Sequence, residues 1–375
     1  MRIGINALYL LPNQVGGSEV YLRNLLSALA KIDRKNEYFI FSNIENNNTF
    51  NINEDNFREI LCMVKAVSRT KRILWEQVIL PFKVKKLDLD ILFSPGFTSP
   101  FFTPCRSVVA IYDLQLKVFP EYFKKIDLIF WNVFVYISIK RAARIITLSE
   151  NSKRDLIRFY NPPSEKIEVI YGGVNQDFFV SYDQESIERL RSRYQLPERM
   201  ILCVSTTHPH KNYPRLLEAF SLLRIKNNIP HKLVIIGLKG FFHQKLVKLI
   251  NDMNLNNHVK LLDWVPFEDV PLFYKAAELF VFPSEFEGFG IPLIEAFASG
   301  VPVVSSNAAS LPEVAGDAAL MVNPYSVSEI ADAMYRIISD KSLSSDLVLR
   351  GNNRVKLFSW EEAAKRTLEC FEKAL

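Results

Sequence analysis

Between residues 200 and 304 the chain repeats one pattern: a short apolar run, then a segment with helical spacing. Ile201-Leu202-Cys203-Val204, Leu233-Val234-Ile235-Ile236, Val259-Lys260-Leu261-Leu262, Leu279-Phe280-Val281-Phe282 and Val301-Pro302-Val303-Val304 read as strands, and residues 213–225, 244–253, 268–277 and 292–299 as helices. In the first of these helices Leu216, Leu217, Phe220 and Leu223 share one stripe. Strands that are apolar on both faces and separated by helices form a parallel sheet covered on both sides. The second half is therefore predicted to be a doubly wound α/β domain.

The first half repeats the theme less regularly. Strands are predicted at residues 3–7, 38–42, 90–93, 108–112 and 145–148, and helices at 19–30, 72–83, 122–143 and 152–159. The Asn-rich residues 43–56 read as a polar surface loop. A length of 375 residues, 49% of them hydrophobic, suits two such domains. The first is expected over residues 1–180 and the second over 181–357, leaving a cleft between the carboxyl ends of the sheets, where ligands of such folds bind.

Composition excludes several classes. The four cysteines, Cys62, Cys105, Cys203 and Cys370, form no CxxC pair, which points to free thiols in a reducing compartment. Met1-Arg2 runs straight into a strand-like segment, so no signal peptide is expected. The longest apolar stretch, residues 126–139, includes Asp127 and Asn132 and falls short of the ~20 residues that span a bilayer. No GxGxxG follows either domain's first strand, against a dinucleotide dehydrogenase, and no basic motif supports nucleic-acid binding. Residues 1–180 carry 24 basic and 18 acidic side chains, residues 181–375 carry 22 and 23. The first half is thus the side that could face something anionic.

The segment richest in chemistry is Pro283-Ser284-Glu285-Phe286-Glu287-Gly288-Phe289-Gly290-Ile291-Pro292-Leu293-Ile294-Glu295. It leaves a strand, turns through two glycines and enters a helix with Pro292 in the first turn, where a missing N–H costs nothing. Backbone N–H groups at such a helix start suit a phosphate, and glycines let a ligand approach the backbone. Glu295, one turn into the helix, is placed to accept hydrogen bonds from a vicinal diol such as a ribose. Glu287, on the turn, faces whatever lies beyond the phosphate. The plain alternative is a tight strand–helix turn with two solvated carboxylates.

Two glutamates with seven residues between them around Gly-Phe-Gly resemble the signature of retaining glycosyltransferases of family 4, which have the GT-B fold. The similarity extends to Phe282-Pro283-Ser284, to residues 295–304, to Ser310-Leu311-Pro312-Glu313-Val314-Ala315-Gly316, and to Phe358-Ser359-Trp360-Glu361. In the first half it includes Gly16-Gly17-Ser18-Glu19, Asp113-Leu114, Phe119-Pro120-Glu121 and Ser149-Glu150 with Ser152-Lys153. The resemblance implies two Rossmann-like domains facing a central cleft, with residues 358–375 forming a helix that packs back on the first domain. It also implies site roles. Glu287 would contact the donor sugar, Gly288, Phe289, Gly290 and Ile291 would meet the diphosphate through their backbones, and Glu295 would hold the ribose. Gly16 and Gly17 would close over the donor phosphates.

Thr206, Lys211 and Asn212 lie on the loop between the second domain's first strand and helix. A lysine there can neutralise a diphosphate as a point charge and stabilise it as it departs. The family often has an Arg before the Lys, where this chain has His210, so a second fixed positive charge is missing. His208 and His210 alone make a poor metal site, and no Asp-x-Asp occurs, so no metal or other cofactor is expected beyond the nucleotide-sugar substrate. Tyr112-Asp113 departs from the family's His-Asp. Tyr112 cannot act as a base near neutral pH unless strongly perturbed, though it can donate a hydrogen bond, and Asp113 would orient the acceptor or serve structure.

The resulting expectation is a metal-independent retaining hexosyltransferase. It would act from a nucleotide-diphosphate sugar (GDP-mannose first, UDP- or dTDP-sugars next) on a lipid-linked or polysaccharide acceptor. In Lys211-Asn212, Asp113-Leu114 and Phe119-Pro120-Glu121 the chain resembles mannosyl- and rhamnosyl-type bacterial members. The alternatives are a non-catalytic sugar-nucleotide-binding protein with a decayed site, or an epimerase of the same fold. The protein is expected in the cytoplasm. The apolar helix near residues 126–139 is expected to pack within the first domain, with peripheral contact on the inner face of the membrane as the sharper reading.

Overall fold

A computed structural model describes residues 1–12, 14 and 16–375. The chain divides into two compact units, Met1–Gly173 with Ser359–Leu375, and Val174–Phe358. Each is built on one parallel sheet.

The first unit holds β1 (Arg2–Asn6), β2 (Glu37–Ser42), β3 (Phe57–Leu61), β4 (Ile91–Ser94), β5 (Arg106–Ala110), β6 (Arg144–Thr147) and β7 (Ile167–Val169), in the order β3-β2-β1-β4-β5-β6-β7. The register pairs Ile3 with Tyr38 on one side and Ile91 on the other. Helices α1 (Gly17–Ile32) and α2 (Arg69–Lys86) follow β1 and β3. The terminal helix Trp360–Glu372 belongs to this unit, with Trp360 edge-on to Tyr21 at 5.7 Å and Phe371 against Phe93 at 5.4 Å. Gly173 permits that packing, because a Cβ there would lie 2.3 Å from the backbone nitrogen of Trp360.

The second unit holds β8 (Met200–Val204), β9 (Lys232–Ile236), β10 (Val259–Leu262), β11 (Leu279–Phe282), β12 (Val303–Ser306) and β13 (Leu320–Val322), in the order β10-β9-β8-β11-β12-β13. The stripe Leu216, Leu217, Phe220 and Leu223 is fully buried in its core with Ile201, Leu233 and Ile235. Each such side chain contributes roughly 1.5–3 kcal/mol on leaving water, which is why the apolar runs dictate the sheet.

Two expectations need correction. Residues 174–180, read with the first domain, belong to the second unit, because Phe178 is wholly buried there, edge-on to Phe267 and Tyr274. The Asn-rich segment is a loop but not simply a surface one. Asn43 and Asn46 are fully buried, and their amides donate to the carbonyls of Leu8 and Leu10, and of Ala7 and Leu10. They brace the loop after β1. The helix Lys125–Arg141 packs in the first unit as expected: Val135 and Ile139 join the core with Val109 and Ile145, and Ser138 Oγ accepts the N–H of Ser99. Its outer face is unburied. Ile126, Ile129, Val133 and Tyr136 form an exposed stripe at helical spacing, with Ile126 75% exposed. Among the described residues no helix is long and apolar enough to cross a membrane.

All four cysteines are free, and burial pushes each thiol up to about 12.

Candidate active site

The second unit gathers the predicted donor residues at the carboxyl ends of β8 and β11. After β11 the chain turns into the helix Ile291–Ala298, entered through Gly290 at φ 105°, ψ 54°. That left-handed conformation favours glycine, and a Cβ there would also lie 2.8 Å from Leu311 Cδ2. Pro292 occupies the first turn, and no side chain caps the helix start. The turn itself is held from the next loop, where Ser310 Oγ lies 2.9 Å from the carbonyl oxygen of Glu287 and 3.0 Å from that of Phe289.

Glu287 meets Lys211 at 2.6 Å, and both side chains are only 12% exposed. Lys211 Nζ also lies 5.7 Å from the centre of the Phe282 ring. The loop carrying the lysine is anchored to the glutamate's strand end. Asn212 Nδ2 donates to the carbonyls of Pro283 and Pro324, and the backbone N–H of Glu285 donates to the carbonyl of His210. The pair is thus fixed at both ends by backbone contacts, which is the preorganisation a charge-stabilising site needs.

Glu295 is 8% exposed and accepts a hydrogen bond from Tyr274 Oη at 3.0 Å. Burial pushes its carboxyl up to about 7, against the lowering effect of Tyr274. Thr206 sits half-buried on the loop after β8. His210 is buried, and burial, with Lys211 and His208 adding, pushes its imidazole down to about 2. It is neutral at pH 7 and supplies no second cation. The second cation nearby is Arg215, which lies 2.7 Å from Glu285 and stacks over Tyr325. Sequence reasoning missed Arg215 and Tyr274, since each reaches the site only through the fold. His208 and His210 stack with ring centres 5.9 Å apart. Among the described residues no group of three or more His, Cys, Asp or Glu side chains could hold a metal ion.

The remaining predicted residues lie in the first unit. Gly16 caps α1 at φ 70°, ψ −131°, open to glycine but not to other residues, and Gly17 begins the helix. Asp113 Oδ1 accepts the backbone N–H of Gln115 at 3.0 Å. Tyr112 is buried, its ring 4.9 Å from Tyr21 and 5.3 Å from Phe97, and its carbonyl accepts from Ser152 Oγ. Burial and the neighbouring Tyr9 and Tyr21 hold its phenol well above the ordinary value. It packs as an aromatic core residue and stays protonated.

Residues 186–354 match the profile of group 1 glycosyl transferases, and residues 15–178 that of glycosyltransferase family 4. Over 268 residues the chain is 33% identical to O-antigen chain mannosyltransferase B of Escherichia coli, spanning 71% of this chain and 70% of that protein. It is 27% identical over 310 residues to O-antigen chain mannosyltransferase RfbU of Salmonella typhimurium, 80% of each. Among solved structures, WaaG, a glycosyltransferase involved in lipopolysaccharide biosynthesis, aligns with a TM-score of 0.77 over 98% of both chains at 16% identity. Anabaena HepE in complex with UDP-glucose aligns with the same TM-score and coverage at 19% identity. At such identities these two likenesses establish the fold.

Proposed function

The chain belongs to glycosyltransferase family 4, and from that premise we propose that it transfers a mannosyl group from GDP-mannose to a hydroxyl of a lipid-linked or polysaccharide acceptor, with retention and without a metal. The observation that carries this is the half-buried Lys211–Glu287 pair beside an uncapped helix start. A diphosphate suits the helix amides and the lysine, leaving Glu287 to accept from sugar hydroxyls. Glu295, one turn into that helix, suits the ribose. The names of the two O-antigen mannosyltransferase relatives support mannose as the sugar.

In the proposed reaction the bond between the sugar C1 and the β-phosphate oxygen breaks. The acceptor oxygen bonds to C1 on the same face, and its proton passes to the departing phosphate. Lys211 stabilises the charge that develops there. Tyr112, buried and protonated, takes no proton in this scheme, and Asp113 holds the backbone of the segment that follows it.

A thermal-shift panel with GDP, UDP, dTDP and ADP and their sugars, with EDTA and then with Mg²⁺, tests the donor. GDP is expected to stabilise the protein by about 2.7 kcal/mol at 100 times its Kd, equally with EDTA. Mannose should then pass from GDP-mannose to a lipid-linked glycan in EDTA. A shift by another diphosphate alone, or one that needs Mg²⁺, refutes the assignment.

The exposed stripe Ile126, Ile129, Val133 and Tyr136, with Lys124, Lys125, Lys140 and Arg141 at the ends of its helix, suits an anionic membrane surface. The protein is expected to sediment with phosphatidylglycerol vesicles at low salt and not with phosphatidylcholine vesicles. Ile129→Glu with Val133→Glu should abolish that binding while leaving nucleotide binding intact. Equal sedimentation of this variant excludes the stripe as the contact.

A further inference from the structure

The helix Tyr213–Asn227 starts directly after Asn212, on the loop that carries Lys211. Its first turn presents Arg215, whose Nη1 donates to two oxygens, Asn212 Oδ1 at 3.0 Å and Glu285 Oε1 at 2.7 Å. The guanidinium also lies over the Tyr325 ring, 5.0 Å from its centre. Asn212 uses both ends of its amide. Oδ1 accepts from Arg215, while Nδ2 donates to the carbonyls of Pro283 at 3.0 Å and Pro324 at 2.6 Å. Glu285 is likewise held twice, its carboxylate by Arg215 and its backbone N–H by the carbonyl of His210 at 2.8 Å. These bonds close a ring between the loop of Lys211 and the turn of Glu287.

Arg215 is 36% exposed, but the side chain of Glu285 is only 9% exposed, so water screens its charge poorly. Glu285 stands two residues before Glu287, on the approach to the helix start at Ile291. A carboxylate at that place opposes a diphosphate, and Arg215 is the cation that offsets it. A lysine supplies the charge without the geometry, because a planar guanidinium bonds two oxygens while stacking on an aromatic ring and an ammonium does not. With Glu285 held by Arg215, Lys211 has Glu287 as its carboxylate partner.

We infer that Arg215 is a positioning residue for the donor. It neutralises Glu285 beside the diphosphate and locks Asn212, so that Lys211 and Glu287 keep the spacing at which both meet the donor. The inference rests on the transferase reading above and gives Arg215 no contact with the reacting atoms.

GDP and UDP serve as probes, titrated calorimetrically into the wild type and the variants, with sugar transfer to a lipid-linked glycan measured on the same proteins. Arg215→Met should weaken the nucleotide that binds about tenfold, the effect of a poorly screened carboxylate left facing the phosphates. Arg215→Met with Glu285→Gln should bind within about threefold of the wild type, because the opposing charge is gone. Turnover should not return with it, since the ring through Asn212 stays open. Arg215→Lys should bind nucleotide like the wild type and transfer sugar about tenfold more slowly, the cost of a small misplacement. A purely structural arginine would lower the melting temperature, and its double variant would bind no better than the single one, which overturns the inference. So does an Arg215→Met protein that binds like the wild type, an Arg215→Lys protein that transfers as fast, or a wild type that binds neither nucleotide. Should Arg215→Met not fold, Arg215→Gln, with and without Glu285→Gln, reads the same rescue. Nucleotide binding that follows this pattern in a protein that transfers no sugar from any donor refutes the transferase reading and leaves the role of Arg215 standing.

Discussion

Lys211→Met should lower turnover by about 10²–10³-fold, the cost of removing one preorganised charge-stabilising donor from a site of this kind. The lysine reaches Glu287 at 2.6 Å with both groups largely shielded from water. Removing it has a second effect: it leaves the half-buried Glu287 without this partner, a change that costs about 3–5 kcal/mol in fully buried pairs and less at this partial exposure. The two effects separate in the double variant. Lys211→Met with Glu287→Gln should recover most of the lost melting temperature and none of the turnover. Glu287→Ala alone should abolish transfer while keeping GDP binding, since its carboxylate is assigned to the sugar and not to the diphosphate. The assignment fails if Lys211→Met retains turnover within tenfold of the wild type, or if the double variant transfers sugar.

The second large effect concerns pH. Glu295 and Glu76 are both buried, and burial pushes each carboxyl up to about 7. From about pH 4.5, where such a group ionises in the unfolded chain, to about pH 7, the folded protein holds a proton that the unfolded chain has released. Stability therefore falls as pH rises through this window, and the penalty is complete above it. Each group contributes at most a few kcal/mol. The melting temperature of Glu295→Gln should match the wild type at pH 5 and exceed it by several degrees at pH 8. The same variant should bind GDP about tenfold or more weakly, because a carboxylate accepting from two ribose hydroxyls makes the stronger, charge-assisted contacts. A Glu295→Gln protein that binds GDP like the wild type removes Glu295 from the ribose site. Equal melting profiles would show that the carboxyl is not held protonated.

The sequence discloses the central strands of both sheets and one edge strand, β10, but not the other margins. Strands β3, β7 and β13, absent from the sequence reading, all lie at sheet edges. There β3 exposes Arg58 and Leu61 and β7 is three residues long, so neither shows the unbroken apolar run of a strand buried on both faces. The helix start with its flanking glutamates was legible because its parts are contiguous. Tyr274 and Arg215 were not. Tyr274 enters through a hydrogen bond across 21 residues and Arg215 through an ion pair across 70. Tyr112 shows the reverse: its position was clear, but its burial against Tyr21 and Phe97 decides what its hydroxyl can do.

Asn43 and Asn46, though they follow β2, hold the carbonyls of Ala7, Leu8 and Leu10. The backbone at Ala7, Leu8 and Leu10 is therefore templated by side chains more than 30 residues downstream. Transplanting residues 7–18 between relatives to alter donor preference would carry only half of the module. A graft that moves the two asparagines with them should keep the backbone of residues 7–10 in place, and insertions should be tolerated beyond residue 50 but not between 43 and 46.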